Sequence, residues 1–146
     1  METLVIDASI AIKWVVEEDG TPDAVRLRSR FRFVAPELLV AECANILWKK
    51  VQRRELMQDE AILASRLLER AGIELISMRG MLELATTLAL ELGHPAYDCV
   101  YLALARQRQV RFVTADQRLL RVVAERASKD LAQLCVSLED LVSRSP

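Results

Sequence analysis

Short, mostly apolar runs alternate along this chain with longer segments in which apolar residues recur every three or four positions. The runs fall at 3–6, 33–35, 73–77, 110–114 and 134–136. They have the length of strands, and the first, Thr3-Leu4-Val5-Ile6, is a continuous apolar run typical of a buried parallel strand. Helices are predicted at 10–16 with Ser9 as cap, at 23–29 after the Gly20-Thr21-Pro22 loop, and from Pro36 to about 54. Others follow at 58–71, 81–92, from Pro95 to about 107, and at 118–127. Proline fits a first helical turn and glycine fits a helix stop, the roles expected of Pro36 and Pro95 and of Gly72 and Gly93. Strands alternating with helices predict a single α/β domain with a mostly parallel central sheet and helices on both faces. It should span 1–142, with 143–146 as a frayed tail. Ile62, Leu63, Leu67 and Leu68 are expected on the apolar side of their helix. The stripe of Met81, Leu82, Leu84 and Leu88, like the Ile62-Leu63 helix, is apolar enough for a dimer face, although core packing is the commoner use.

Four acidic residues break this pattern. Asp7 ends the first apolar run and Asp116 follows the fourth, so both fall at the carboxyl edge of the sheet, where open parallel sheets bind ligands. Glu42 shares a helix face with Leu38, Leu39, Asn45 and Ile46, and Asp98 shares one with Tyr101, Leu102 and Ala105, by three- and four-residue spacing. Desolvating an unpaired charge costs several kcal/mol or more, on the order of the known range. Four such groups converging would call for a cation. Singly, each has an ordinary explanation: Asp7 ending a strand, Asp98 complementing a helix dipole, Asp116 capping the next helix, Glu42 pairing with Lys49.

Charge and cysteine usage narrow the chemistry. The chain has 20 Lys and Arg against 21 Asp and Glu, a net charge of −1, so no global positive field draws in nucleic acid. Local basic clusters remain, each also readable as a solvated helix face: Arg26, Arg28, Arg30 and Arg32; Lys49, Lys50, Arg53 and Arg54; Arg106, Arg108 and Arg111. Cys43, Cys99 and Cys135 are odd in number, lack CxxC spacing and lie in apolar segments, which suits small core residues in a reducing compartment. With no signal-like start and no apolar run near the roughly 20 residues of a membrane span, a cytoplasmic protein is expected.

Clustered carboxylates offer hard oxygen ligands to Mg²⁺ or Mn²⁺. Such ions activate water and neutralise a scissile phosphate, so no histidine is required as base. The lone histidine, His94, sits in a loop beside Pro95 and is read as incidental. There is no GxGxxG or Walker A run and no GxSxG elbow. A phosphorylated receiver domain would want an acidic pair at the first strand, where Asp7 is followed by Ala8. A haloacid-type phosphotransferase would want a second Asp where Ser9 stands.

Nearly the whole chain resembles the PIN-domain ribonucleases, and particularly the VapC-type toxins of toxin–antitoxin pairs. The resemblance rests on Val5-Ile6-Asp7-Ala8-Ser9 with Trp14, and on Pro36-Glu37-Leu38 through Glu42 and Asn45. It rests also on Ala96-Tyr97-Asp98-Cys99-Val100-Tyr101-Leu102-Ala103-Leu104-Ala105 and on Phe112-Val113-Thr114-Ala115-Asp116 with Leu119. It implies that Asp7, Glu42, Asp98 and Asp116 form an acidic site that binds Mg²⁺ or Mn²⁺ and cuts single-stranded RNA, with Ser9 and Thr114 supporting it. It also implies homodimerisation and neutralisation by a small antitoxin reaching into the acidic groove. Lys13 and Arg118 are candidates for contact with RNA phosphate. Two other readings stay open: a non-cleaving RNA- or protein-binding module of the same fold, and an RNA-processing nuclease with no antitoxin.

Overall fold

The computed structural model describes residues 1–144. Its sheet has five strands: β1 (Thr3–Ile6), β2 (Arg32–Pro36), β3 (Ile73–Ile76), β4 (Arg111–Thr114) and β5 (Cys135–Ser137). They lie in the order β3-β2-β1-β4-β5 and every pairing is parallel. Successive strand residues point to opposite faces. Leu4, Val5 and Ile6 are all fully buried, so both faces of the central strand are covered. Val5 aligns with Val34 on one side and Phe112 on the other, which makes β1 and β4 neighbours despite more than a hundred intervening residues.

The connections are helical, as parallel pairing requires: α1 (Ala8–Ala11) continuing as a 3₁₀ turn (Ile12–Trp14), α2 (Thr21–Leu27), α3 (Leu38–Gln52), α4 (Gln58–Glu69), α5 (Leu82–Leu92), α6 (Ala96–Arg108), α7 (Gln117–Arg126), α8 (Lys129–Leu134) and α9 (Leu138–Ser143). Helix α6 crosses β2, β1 and β4, with α5 and α8 packed on it. Helices α1, α3 and α9 also meet the sheet, and α4 backs α3. The run from Tyr101 to Ala105 is buried all round the helix, so α6 is a core element.

Several local expectations change. Pro36 closes β2, in register with Ile76, and the following amide, Glu37 N–H, donates to the Ile76 carbonyl. Having no N–H to offer, Pro36 is tolerated as the last residue of the strand. Ser9 lies inside α1, not at its cap, because its hydroxyl is engaged across the sheet edge. In α4 the inward stripe is Ala61, Ala64 and the partly buried Leu68, while Ile62, Leu63 and Leu67 are about half exposed. The six-residue α8 has no counterpart in the sequence reading and moves Leu134 out of the last strand. At the carboxyl terminus Ser143 closes α9, and of the expected tail residues 145–146 lie outside those described. Among the described residues, no helix is long and apolar enough to cross a membrane.

Candidate active site

The carboxyl ends of β1 and β4 carry a hydrogen-bonded network built from both strands. Asp7, one residue beyond β1, is buried. Ser9 Oγ donates to its Oδ1 and Thr114 Oγ1 to its Oδ2, both at 2.5 Å. Ser9 Oγ in turn accepts from the Ala115 N–H at 2.9 Å, and Thr114 Oγ1 from the Asp116 N–H at 3.1 Å. Asp116 caps α7, its Oδ1 accepting from the Leu119 N–H. Thr114, the last residue of β4, is fully buried and thereby ties Asp7 to the segment bearing Asp116.

The other two acids arrive on helices. Glu42 projects from α3, and its Oε1 accepts at 2.5 Å from the hydroxyl of Tyr101, a fully buried residue of α6. Asp98 lies in the first turn of α6 and its Oδ2 is 2.6 Å from His94 Nε2. His94, read from sequence as incidental, is a partner of the candidate site carboxylate Asp98. Its i,i+4 spacing to Asp98 was the available signal, obscured by the intervening Pro95.

Asp98 and Glu42 both act on Asp7, and Asp98 acts on Glu42. Burial, opposed by the Ser9 and Thr114 hydroxyls and reinforced by the charges of Asp98 and Glu42, pushes the Asp7 carboxyl up to about 6. Burial likewise raises Glu42 above the usual carboxylate range, with the Tyr101 hydrogen bond opposing and Asp98 adding to the rise. Tyr101 is raised by burial and then by Glu42, which keeps its phenol protonated and able to donate. Cys43 and Cys99 rise to about 12 and about 11, chiefly through burial. Both therefore stay thiols, as core residues do, and are not nucleophiles.

The donor chemistry fits a hard divalent cation. All four candidate groups are carboxylates, and among the described residues Glu42 Oε2, Asp98 Oδ1 and Asp116 Oδ2 have no protein hydrogen-bond donor. The raised carboxyls of Asp7 and Glu42 mark a place where positive charge would be stabilising. No three His, Cys, Asp or Glu side chains among the described residues already stand at the spacing of a closed ligand shell. A bound ion would thus draw these side chains closer together.

The rim candidates differ from each other. Lys13 is engaged: its Nζ lies 3.2 Å from Glu18 Oε1 and donates to the Asp19 carbonyl at 2.6 Å, and its side chain is only 12% exposed. These contacts brace the loop before α2. Arg118 is exposed on α7, two residues from Asp116.

Comparison with known proteins shows the family and the fold. The family model for the PIN domain matches residues 4–125. The chain is 34% identical over 122 residues to Ribonuclease VapC3 of Pyrobaculum aerophilum, covering 80% of this chain and 91% of that protein. The fold matches PAE2754 of the same organism, with a TM-score of 0.69 and 20% identity over 99% of this chain and 88% of the other. It also matches VapBC2 of Rickettsia felis, solved bound to a DNA fragment from its promoter, with a TM-score of 0.64 and 12% identity over 92% of this chain and 98% of that one. The match to the family model spans the strands and helices that carry all four acids, and the chain belongs to the PIN domain family.

Proposed function

We propose that this protein is a metal-dependent endoribonuclease that cuts single-stranded RNA, acting as the toxin of a toxin–antitoxin pair. The observation that carries the reading is Asp7: a buried carboxylate raised to about 6 beside Glu42 and Asp98, in a chain that shares 34% of its aligned residues with a ribonuclease. Asp7, Asp98 and Asp116 would hold Mg²⁺ or Mn²⁺, with Glu42 completing the set directly or through water. When bound, the ion supplies Lewis acidity toward the phosphate and lowers the pKa of a water. The chain's own groups do the rest. Ser9 and Thr114 hold the Asp7 carboxylate by both oxygens, Tyr101 and His94 restrain Glu42 and Asp98, and the α7 amide orients Asp116. Arg118, exposed two residues from Asp116, and Lys13 are the candidates for contact with the RNA backbone.

Partners belong to the same proposal. The solved Rickettsia felis relative is a VapB–VapC assembly, which supports a small antitoxin here as well. The half-exposed Ile62, Leu63 and Leu67 and the 80%-exposed Leu82 offer apolar surface for a second copy or the antitoxin. The test is cleavage of a mixed panel of single-stranded and structured RNAs with Mg²⁺, Mn²⁺ or EDTA, beside Asp98→Asn. Cleavage that requires metal and Asp98 is expected; cutting that survives Asp98→Asn would sink the assignment. Metal-independent RNA binding with no cutting would favour a non-cleaving module.

A further inference from the structure

Asp98 occupies the third position of α6, where an acidic side chain ordinarily reaches back to the N–H of the cap residue and closes a capping box. Here the cap is Pro95, which has no N–H to offer. Asp98 is thereby released from the usual local bond, and the partner it takes is the ring of His94, one residue before the cap, at 2.6 Å. A carboxylate has no proton to give, so Nε2 carries the hydrogen and donates. The imidazole is only 7% exposed, against 27% for the Asp98 side chain.

The backbone beneath His94 is pinned on more than one side. The His94 N–H donates to the Ala89 carbonyl at 3.2 Å. Gly93, at φ +60°, turns the chain between α5 and α6. Arg126 of α7 donates from Nη1 to the Leu92 carbonyl at 2.9 Å, and a Cβ on Gly93 would lie 2.6 Å from that nitrogen. A side chain at 93 would displace the guanidinium, so glycine serves both the turn and the clamp. The ring is thus held by a braced turn and spends its Nε2–H on a candidate metal ligand.

We infer that His94 is a positioning residue of the acidic site, its Nε2–H fixing Asp98 Oδ2 so that Oδ1 is the oxygen presented to the divalent cation. This rests on the metal-dependent nuclease reading and adds to it a residue outside the four acids. Partners that orient a metal ligand typically affect metal affinity by 10- to 100-fold.

The test exploits amide geometry. In His94→Gln the side-chain nitrogen falls near the position of Nε2; in His94→Asn it falls short, near Nδ1. Mn²⁺ affinity of the full chain is measured by calorimetry without RNA, Tm is measured in EDTA, and kcat and KM are measured separately. Expected is Mn²⁺ binding by His94→Gln within about threefold of the native protein, and binding by His94→Asn weaker by roughly tenfold or more. The kinetic loss should fall on kcat, with Tm in EDTA alike for the two variants. Equal affinities of the two variants, at whatever level, overturn the inference. So does a loss of affinity that merely tracks a loss of Tm, which would make His94 a packing residue. If the native protein binds metal and cuts RNA while the variants behave alike, only the inference fails. If the native protein neither binds metal nor cuts, the nuclease reading fails and the inference with it.

Discussion

The two neighbouring strands β1 and β4 carry charge at both ends, and the ends behave oppositely. At the amino end Arg111 makes a two-pronged contact with Glu2, Nε to Oε2 at 2.7 Å and Nη2 to Oε1 at 2.8 Å. The guanidinium hydrogen bond holds Glu2 below the ordinary carboxylate range. At the carboxyl end Asp7 also receives two short hydrogen bonds, but from the neutral hydroxyls of Ser9 and Thr114, and it rises to about 6. Two hydrogen bonds satisfy the oxygens in both cases; only the amino end neutralises the charge. A buried acid with its geometry fixed and its charge unmatched is suited to holding a cation, whereas a half-exposed, arginine-matched acid ties two strands together at little net gain.

The contrast can be broken most severely at Asp7. Asp7→Asn keeps an acceptor for one hydroxyl but removes the charge. RNA cleavage should fall on the order of a hundredfold or more, since metal assistance is worth several kcal/mol. The same variant should melt higher than the native protein in EDTA at pH 7.5, because an uncompensated buried charge is gone; an unchanged or lower Tm would show that the hydroxyl contacts outweigh the charge. Supplying the missing cation is the next largest perturbation. Mn²⁺ or Mg²⁺ at about a hundred times its Kd should stabilise the native protein by about 2.7 kcal/mol, a Tm rise of about 5–10 °C, and Asp7→Asn should lose most of that rise.

Protons should do in part what metal does. The folded carboxyl of Asp7 titrates near 6 and the unfolded one near its ordinary value of 3.8, so the folded state binds protons more readily. Stability of the metal-free protein should therefore rise as pH falls from 7 to 5, by roughly 1 kcal/mol from this group. Glu42, raised in the same sense, adds to it. Thermal melts in EDTA across that range check this, and Asp7→Asn should flatten the slope. The smallest effect belongs to the amino end: Arg111→Ala should cost less than about 1 kcal/mol at neutral pH, because the pair is substantially exposed. Glu2, now depressed, would return toward its usual value, a shift that NMR titration would register.

What could be read from sequence divides along the same physical line. Asp7 and Asp116 were visible because a charge at the end of a buried run conflicts with its surroundings. Glu42 and Asp98 stood out as charges on apolar helix faces. The strands of the sheet were legible as short, mostly apolar runs, although Glu74 interrupts β3 and Arg111 opens β4. Less legible were contacts set by tertiary packing. Tyr101 and Glu42 are 59 positions apart, and only the meeting of α3 with α6 joins them. His94 reaches Asp98 across a proline turn whose shape depends on Gly93 and Arg126. Ser9 looked like a helix cap because its real acceptor, Asp7, and its real donor, the Ala115 amide, are brought together by β1–β4 pairing. In α4 the small residues Ala61 and Ala64 face inward and the large Ile62, Leu63 and Leu67 outward, an inversion that hydropathy alone does not signal.

The pairing of β1 with β4 also sets a clock. The threonine that orients Asp7 is made 107 positions after it, roughly 5 to 20 s later at usual translation rates. A nascent chain that stops before β4 already carries Asp7, Glu42 and Asp98 yet lacks Thr114, Asp116 and the central partner of its first strand. The acidic edge cannot assemble piecemeal on the ribosome; it forms when the fourth strand docks, and an unfinished chain leaves synthesis without it.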